Sequence, residues 1–97
     1  IVLSTEVAEH IDPEYALVYL NNLKSVMNDN SKLIISWAGG PKDHQHLNPL
    51  EEEEFISFLS QNGFKINNKL TTQFRDSIVS TPLYWYFSGY ISVWNKI

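Results

Sequence analysis

The sequence predicts an α/β fold in which a sheet of about four strands, mostly parallel with the last one antiparallel, is covered by helices. Two observations lead to this prediction. Continuous runs of β-branched and aliphatic residues occupy positions 1–3 and 33–37, and such runs are typical of strands that are buried on both faces. Segments with helical periodicity follow each run. The order strand, helix, strand, helix, strand is the sequence form of right-handed βαβ units.

The first helix is predicted to start at Asp12. Asp12 is a typical N-cap residue, Pro13 suits the first turn, and Glu14 places a carboxylate near the positive end of the helix dipole. Apolar side chains then recur at helical spacing, and they form the predicted stripe of Ala16, Leu20, Leu23 and Met27. We expect this helix to end at residues 28–30.

The second strand is predicted at residues 33–37. It is interrupted only by Ser36, and the glycines and proline at residues 39–41 stop it. A polar loop that contains His44 and His46 follows this strand.

A second helix is predicted to begin at Asn48 and Pro49, which repeat the combination of cap and proline. The acidic run at residues 51–54 meets the helix dipole favourably, and we interpret it as a solvated helix end. Gly63 is expected to end the helix. The predicted buried face comprises Phe55, Ile56 and Leu59.

The last part of the chain is predicted to contain a short strand at residues 64–66, a helix and a final strand at residues 90–95. The helix is suggested by the regular spacing of Leu70, Phe74 and Ile78. Aromatic residues before the final strand are interpreted as packing residues rather than an acceptor pocket, because such side chains carry large buried area. They are Tyr84, Trp85, Tyr86 and Phe87.

Composition limits the chain to one domain and disfavours several classes of partner. With 97 residues, of which 43% are hydrophobic and 13% aromatic, the chain can form one modest core. The net charge is −4 and basic runs are absent, so we expect no nucleic-acid or membrane partner. The absence of cysteine excludes disulfides, thiolate nucleophiles and cysteine-bound zinc. No apolar run approaches the ~18 residues of a membrane span, which favours a cytoplasmic location.

Three segments together carry a resemblance to a known family. They are IVLSTEVAEHIDPEYA at residues 1–16, KLIISWAGG at residues 32–40 and HQHLNPLEEEEFISFLSQNGF at residues 44–64. In this order and at this separation they resemble the C-terminal half of class I S-adenosylmethionine-dependent methyltransferases, best over residues 1–66. The resemblance implies a Rossmann-like half domain. By this resemblance, the first segment contains the turn after the family's fourth strand, and the second segment is its fifth strand. The third segment precedes a final antiparallel pair of strands.

The N-terminal half of that family has no counterpart in these residues. It supplies a glycine-rich loop and an acid that holds the cofactor ribose, whereas the four glycines of this chain form no such pattern. Because the sequence starts inside an apolar run and not with Met, we expect residues 1–97 to be a single partial domain. The resemblance implies that the strand from Ile1 to Leu3 lacks a neighbour. We expect this edge to pair with missing chain or, in a homodimer, with a second copy.

Two polar segments, residues 4–10 and 37–48, follow the predicted strands. Ligands of open parallel sheets bind outside the carboxyl ends of the strands, so we expect these segments to lie at one edge and face each other. The resemblance implies that the methionine part of the cofactor S-adenosylmethionine lies near Ser4, Thr5 and Glu6. It implies that the side nearer a small-molecule methyl acceptor holds Glu9, His10, Trp37, His44 and His46.

Glu9 and His10 are the candidate catalytic residues. Methyl transfer from a sulfonium needs alignment of the reactants and, for a hydroxyl or ammonium acceptor, removal of a proton. His10 suits the role of base because an unperturbed histidine has a pKa of about 6.5, and Glu9 could orient the ring or act in its place. The structural alternative is that both residues cap and tether the turn before the first helix.

The pattern His44-x-His46 also allows a metal-binding interpretation. Alternate residues of an extended segment point the same way, and with Glu9 and His10 they would make a set that suits zinc or iron. Paired histidines in a polar loop are nevertheless common without metal, and no third ligand is near in sequence. No metal site is therefore predicted.

The leading functional hypothesis is the C-terminal part of an S-adenosylmethionine-dependent methyltransferase that acts on a small polar acceptor, with the fragment alone inactive. One alternative is a non-catalytic interaction module that pairs through its exposed sheet edge. The other alternative is a small metalloprotein with histidine and glutamate ligands.

Overall fold

Four strands and three helices form the described part of the chain. The computed structural model describes residues 1–83 and 91–97. The strands are Val2–Ser4 (β1), Lys32–Ser36 (β2), Phe64–Ile66 (β3) and Ile91–Lys96 (β4). The helices are Ala16–Ser25 (α1), Glu52–Gln61 (α2) and Asn68–Ile78 (α3), and the 3-10 turns Ala8–His10 and Pro13–Tyr15 lie between β1 and α1. The prediction of an α/β fold is confirmed.

The strands form one mixed sheet in the order β1, β2, β4, β3. β1 runs parallel to β2, with Val2 opposite Leu33, whereas β4 lies antiparallel to both of its neighbours. Only one of these strand pairs is parallel, so the prediction of mostly parallel pairing is wrong, whereas the last strand is antiparallel as predicted. The reason is that β4 inserts between β2 and β3, and the crossover through α2 therefore does not place β3 beside β2.

The helix α1 begins at Ala16 and not at Asp12, because Asp12 caps the 3-10 turn Pro13–Tyr15 that precedes the helix, and α1 also ends earlier than predicted. The Asp12 side chain accepts a hydrogen bond from the backbone N–H of Glu14 at 2.9 Å, as expected of a cap. The helix ends at Ser25 and not at residues 28–30. Asn28 forms a turn of its own there, because its side chain accepts a hydrogen bond from the backbone two residues later.

The cap of α2 is Glu51 and not Asn48, so the predicted helix start is wrong. Glu51 and Glu54 form a capping box, in which the Glu51 N–H donates to Glu54 Oε1 at 3.1 Å. The backbone of Asn48 is used elsewhere: its N–H donates to the Glu9 carbonyl, and its carbonyl accepts from the Trp37 indole. These long-range contacts explain why the local pattern of cap and proline does not start the helix.

The main core lies between α1, α2 and one face of the sheet. Trp37 is fully buried in it, with its ring stacked on Phe55 at a centroid distance of 6.3 Å and edge-on to Phe58 at 5.8 Å. This packing fixes the start of the segment that follows β2. The other buried members include Leu20, Leu33, Ile35, Leu59, Phe64 and Trp94.

The helix α3 covers part of the opposite face of the sheet. Thr71 anchors it to β4, because its hydroxyl oxygen accepts a hydrogen bond from the Val93 N–H at 2.9 Å. Beside α3 this face stays open and apolar near the sheet edge, where Ile1 is 90% exposed and Leu3 is 65% exposed.

The strand at residues 64–66 and the helix around Leu70 and Phe74 are confirmed as β3 and α3. β4 contains most of the predicted final strand. Within the described ranges, no helix is long and apolar enough to cross a membrane. The predictions that lie outside the described residues concern Tyr84, Trp85, Tyr86, Phe87 and Tyr90.

Candidate functional site

The two polar segments predicted to face each other are in contact at the carboxyl ends of β1 and β2. The Asn48 N–H donates to the Glu9 carbonyl oxygen at 3.0 Å, and His10 Nδ1 lies 2.7 Å from the Gln45 carbonyl oxygen. The rings of His10 and His46 stack with their centroids 4.9 Å apart. We call residues 4–10 and 37–48 together the strand-end face.

Ser4, at the end of β1, is already hydrogen-bonded. Its hydroxyl lies 2.6 Å from the hydroxyl of Tyr19 on α1, and only 8% of Ser4 is exposed. Burial raises the pKa of the Tyr19 hydroxyl, and its hydrogen bond with Ser4 acts against this shift. The pair of hydroxyls therefore joins the end of β1 to α1.

Glu6 lies in the turn that leaves β1, two residues beyond Ser4. Its φ angle is +59°, in the left-handed region that is unfavourable for residues other than glycine. The turn is held by a hydrogen bond from the Glu6 N–H to the hydroxyl of Ser36, at the end of β2, at 2.9 Å. Thr5, which precedes Glu6, is half-buried. A strained residue at this position is typical of a functional turn.

The Glu6 carboxyl lies in an electrostatically unfavourable position. Burial, and then the neighbouring Glu9 carboxylate, raise the pKa of Glu6 above its ordinary range, whereas the His10 and His46 rings act in the opposite direction. Glu6 as a residue is nevertheless exposed.

Glu9 is fully buried, which is unusual for a carboxylate. Neither of its carboxylate oxygens receives a hydrogen bond from any donor in the described part of the chain. Burial of a polar group without a hydrogen-bond partner is unfavourable. The side chain does not orient His10, because the hydrogen-bond partner of that ring is the Gln45 carbonyl.

The ring of His10 is held in a defined tautomer. A carbonyl oxygen only accepts hydrogen bonds, so Nδ1 must carry the hydrogen that bonds to Gln45. In the neutral ring the lone pair is then on Nε2. His10 is exposed, and Nε2 is thus the nitrogen that can accept a proton.

The loop that carries His46 is ordered around Asp43. The Asp43 carboxylate accepts hydrogen bonds from the backbone N–H groups of Gln45 at 2.8 Å and His46 at 2.7 Å, and it contacts the His46 ring at 3.2 Å. The backbone bonds of His46 and Gln45 lower the pKa of Asp43 to about 2. This loop acid therefore fixes the backbone that presents His46 to His10.

The other three residues predicted near the acceptor, Trp37, His44 and His46, have different environments. Trp37 is fully buried, and its indole N–H donates to the Asn48 carbonyl at 2.8 Å, so it is an interior member of the strand-end face and does not lie at its surface. His46 contacts His10, whereas His44 is exposed in the same loop.

Sequence reasoning missed three residues that organise the site: Tyr19, Ser36 and Glu51. Ser36 had a usable signal, because it is the one polar residue inside an apolar strand. Tyr19 lies on the same helix face as Ala16, which indicated a buried position. Glu51 was interpreted as solvated, but its carboxylate accepts a hydrogen bond from the Gly40 N–H at 3.0 Å and so joins α2 to the loop.

The metal-binding alternative finds no assembled ligand set. In residues 1–83 and 91–97, no group of three or more histidine, cysteine, aspartate or glutamate side chains is arranged to hold a metal ion. The stacked pair of His10 and His46 is bonded to Gln45 and Asp43 instead.

No protein-family model matches the chain, and neither a curated protein nor a solved structure is detectably similar to it. The function is therefore inferred from the geometry of the strand-end face and from the resemblance of the three sequence segments.

Proposed function

We propose that the chain is the C-terminal portion of an S-adenosylmethionine-dependent methyltransferase with a Rossmann-like fold, and that methyl transfer to a small polar acceptor takes place at the strand-end face. The observation that carries the proposal is the contact between residues 4–10 and 37–48 at the carboxyl ends of two parallel strands. Open α/β sheets bind their ligands at this edge. Both segments belong to the stretches that resemble the methyltransferase family.

The strand pairing gives further support. The resemblance implies a final antiparallel pair, and β3 and β4 are antiparallel. It also implies that the first strand lies at the edge of the fragment, and β1 has a partner on one side only in the described sheet. These features agree with a half domain whose other half would extend the sheet beyond β1.

The residues at the end of β1 fit the cofactor in part. Thr5 and Glu6 are not fully buried and could hold its polar methionine part, whereas the Ser4 hydroxyl is committed to Tyr19. When bound, S-adenosylmethionine supplies the electrophilic methyl group. The residues of this chain would orient the acceptor and remove its proton, for which His10 Nε2 is the available base.

Two substitutions of His10 test this proposal in the protein extended to the start of its reading frame. Asparagine can place an amide N–H near the position of Nδ1, so His10→Asn keeps a donor for the Gln45 carbonyl but removes the base. His10→Ala removes both. We expect each variant to lower turnover more than tenfold, with little change in cofactor affinity. If His10→Asn retains turnover and only His10→Ala loses it, His10 serves only to tether the turn through its hydrogen bond to the Gln45 carbonyl.

The second candidate function is a non-catalytic module that pairs through the β1 edge. The observation that favours it is the exposed apolar surface beside that strand. A cavity of about 340 Å³ on this side is lined by Ile1, Ile34, Leu70 and Phe74 among others. Exposed strand edges with apolar neighbours are templates for pairing with another chain.

A further inference from the structure

The apolar cavity of about 340 Å³ lies between α3 and the face of the sheet opposite the main core. Ile34 on β2 and Val93 on β4 lie opposite each other in the sheet and line the cavity from that side. Leu70 and Phe74 line it from α3. We call this cavity the α3 groove. Its size suits a small molecule, and no residue of the strand-end face is among the described residues that line it.

Lys32 is the only charged side chain among the described residues that line the α3 groove. It lies two residues before Ile34 on β2, so both side chains leave the same face of the sheet. Lys32 is half-buried, and the ion pairs found in the described ranges do not involve it. Its ammonium group also donates no hydrogen bond to another described residue. An ammonium group without a partner therefore lies beside an apolar surface.

We propose that the α3 groove binds a small amphipathic carboxylate of the medium-chain alkanoate class, with its alkyl chain on the apolar side chains and its carboxylate at Lys32. Contact with these side chains removes the alkyl chain from water, which is favourable. The lysine ammonium supplies charge-assisted hydrogen bonds to the carboxylate. Gln73, an exposed member of the groove, offers an amide N–H as a further donor. This inference goes beyond the proposed methyltransferase function and does not depend on it.

The charge of Lys32 favours a carboxylate over a second copy of the chain as the occupant. The apolar side chains alone would suit either one. An apolar surface packed on the groove would take the ammonium group out of water without a partner, which is unfavourable, whereas a carboxylate compensates its charge. The net charge of the chain is −4, so the protein as a whole does not attract anions. A preference for an anion at this groove would therefore report the local charge of Lys32.

A ligand series tests the two parts of the proposed site. The chain is titrated with octanoate, with 1-octanol as the uncharged control and with hexanoate as the shorter carboxylate, and amide shifts are followed by NMR. We expect saturable octanoate binding that shifts Lys32, Ile34 and Leu70 but neither His10 nor His46. We expect 1-octanol to bind about fivefold more weakly or less. Hexanoate should bind up to about sixteenfold more weakly than octanoate, because each buried methylene contributes up to about fourfold.

Two lysine variants test the position of the carboxylate. Lys32→Met keeps an apolar stem on the groove and removes the charge, so we expect octanoate to bind about fivefold more weakly and 1-octanol to bind as before. Lys69→Met is the matched control, because Lys69 is exposed on α3 and does not line the groove. Its affinity for octanoate should be unchanged. Circular dichroism of both variants checks that the fold is retained.

Equal affinities for octanoate and 1-octanol, or an unchanged octanoate affinity in Lys32→Met, would overturn the assignment of the carboxylate to Lys32. Equal affinities for hexanoate and octanoate would overturn the assignment of the alkyl chain to the groove. Octanoate binding that is lost as the chain self-associates, followed by sedimentation at the same concentrations, would overturn the proposal in favour of a second copy as the occupant.

Discussion

Glu6 combines a left-handed backbone with a carboxyl that lies beside another carboxylate. Its φ angle of +59° would suit glycine, and the hydrogen bond from its N–H to Ser36 holds the turn in that conformation. The neighbouring Glu9 adds repulsion at neutral pH. A glutamate at such a position is unfavourable for stability, which agrees with a role in ligand binding.

Replacement of Glu6 by glycine should stabilise the protein. Relief of the left-handed conformation contributes about 1 kcal/mol, and the larger conformational entropy of glycine in the unfolded chain offsets part of it. We expect the free energy of unfolding, measured with denaturant, to rise by about 0.5 kcal/mol. A decrease would show that the Glu6 side chain stabilises the turn.

Glu6→Gln is the matched control, because it keeps a side chain at this position and removes only the charge. The raised pKa of Glu6 means that its favourable contribution is present below its ordinary value of 4.5 and is lost as the pH rises through the raised value. Glu6→Gln should therefore match the wild type at acidic pH and unfold at higher denaturant concentration at neutral pH. Equal midpoints at neutral pH would contradict the repulsion with Glu9.

At the scale of elements, the start of α2 determines the shape of the loop after β2. Glu51 caps the helix through its capping box with Glu54, and its carboxylate also accepts the Gly40 N–H. Gly39 packs so closely that an added Cβ would lie 2.7 Å from Glu51 Oε1. The helix end and the loop are therefore one connected unit, and the loop brings His46 to His10.

Glu51→Ala should lower the free energy of unfolding by about 1 kcal/mol, the usual effect of losing an N-cap. Glu53→Ala is the matched control, since Glu53 is exposed in the same helical turn and contributes mainly to the helix dipole. Hydrogen exchange should also show faster exchange at Gly40 in Glu51→Ala only. Equal destabilisation by both substitutions would argue against the cap and its link to the loop.

The elements themselves were predictable where the signals are local. Apolar runs located β1 and β2, helical spacing located α1, α2 and α3, and the rule for strand ends located the strand-end face. The cap of α2 was not predictable in this way, because Asn48 is bonded to Glu9 and Trp37, which are distant in sequence. The insertion of β4 between β2 and β3 likewise depends on long-range pairing.

Local sequence patterns also did not predict how buried each site residue is or which partners it has. Glu9 and Glu14 are both glutamates close to α1, yet Glu9 is fully buried and Glu14 is exposed. Only the packing of the Ala8–His10 turn distinguishes them. The sequence therefore indicated which residues meet at the site but not which of them lacks a partner.

At the scale of the whole molecule, the β1 edge is the most exposed apolar part of the described sheet. We expect the 97-residue chain to self-associate through this edge in sedimentation experiments. Leu3→Lys should make the chain monomeric. Leu17→Lys, at an exposed position on α1, should leave the self-association unchanged. A monomer at all concentrations, with freely exchanging amides in β1, would contradict pairing at this edge.

The central claim is that the strand-end face is one part of an S-adenosylmethionine site whose remainder lies outside these residues. Calorimetric titration with S-adenosylmethionine tests it most directly, on the 97-residue chain and on the protein extended to the start of its reading frame. We expect micromolar binding to the extended protein and no tight binding to the 97-residue chain. Micromolar binding to the isolated chain, or none to the extended protein, would contradict the claim.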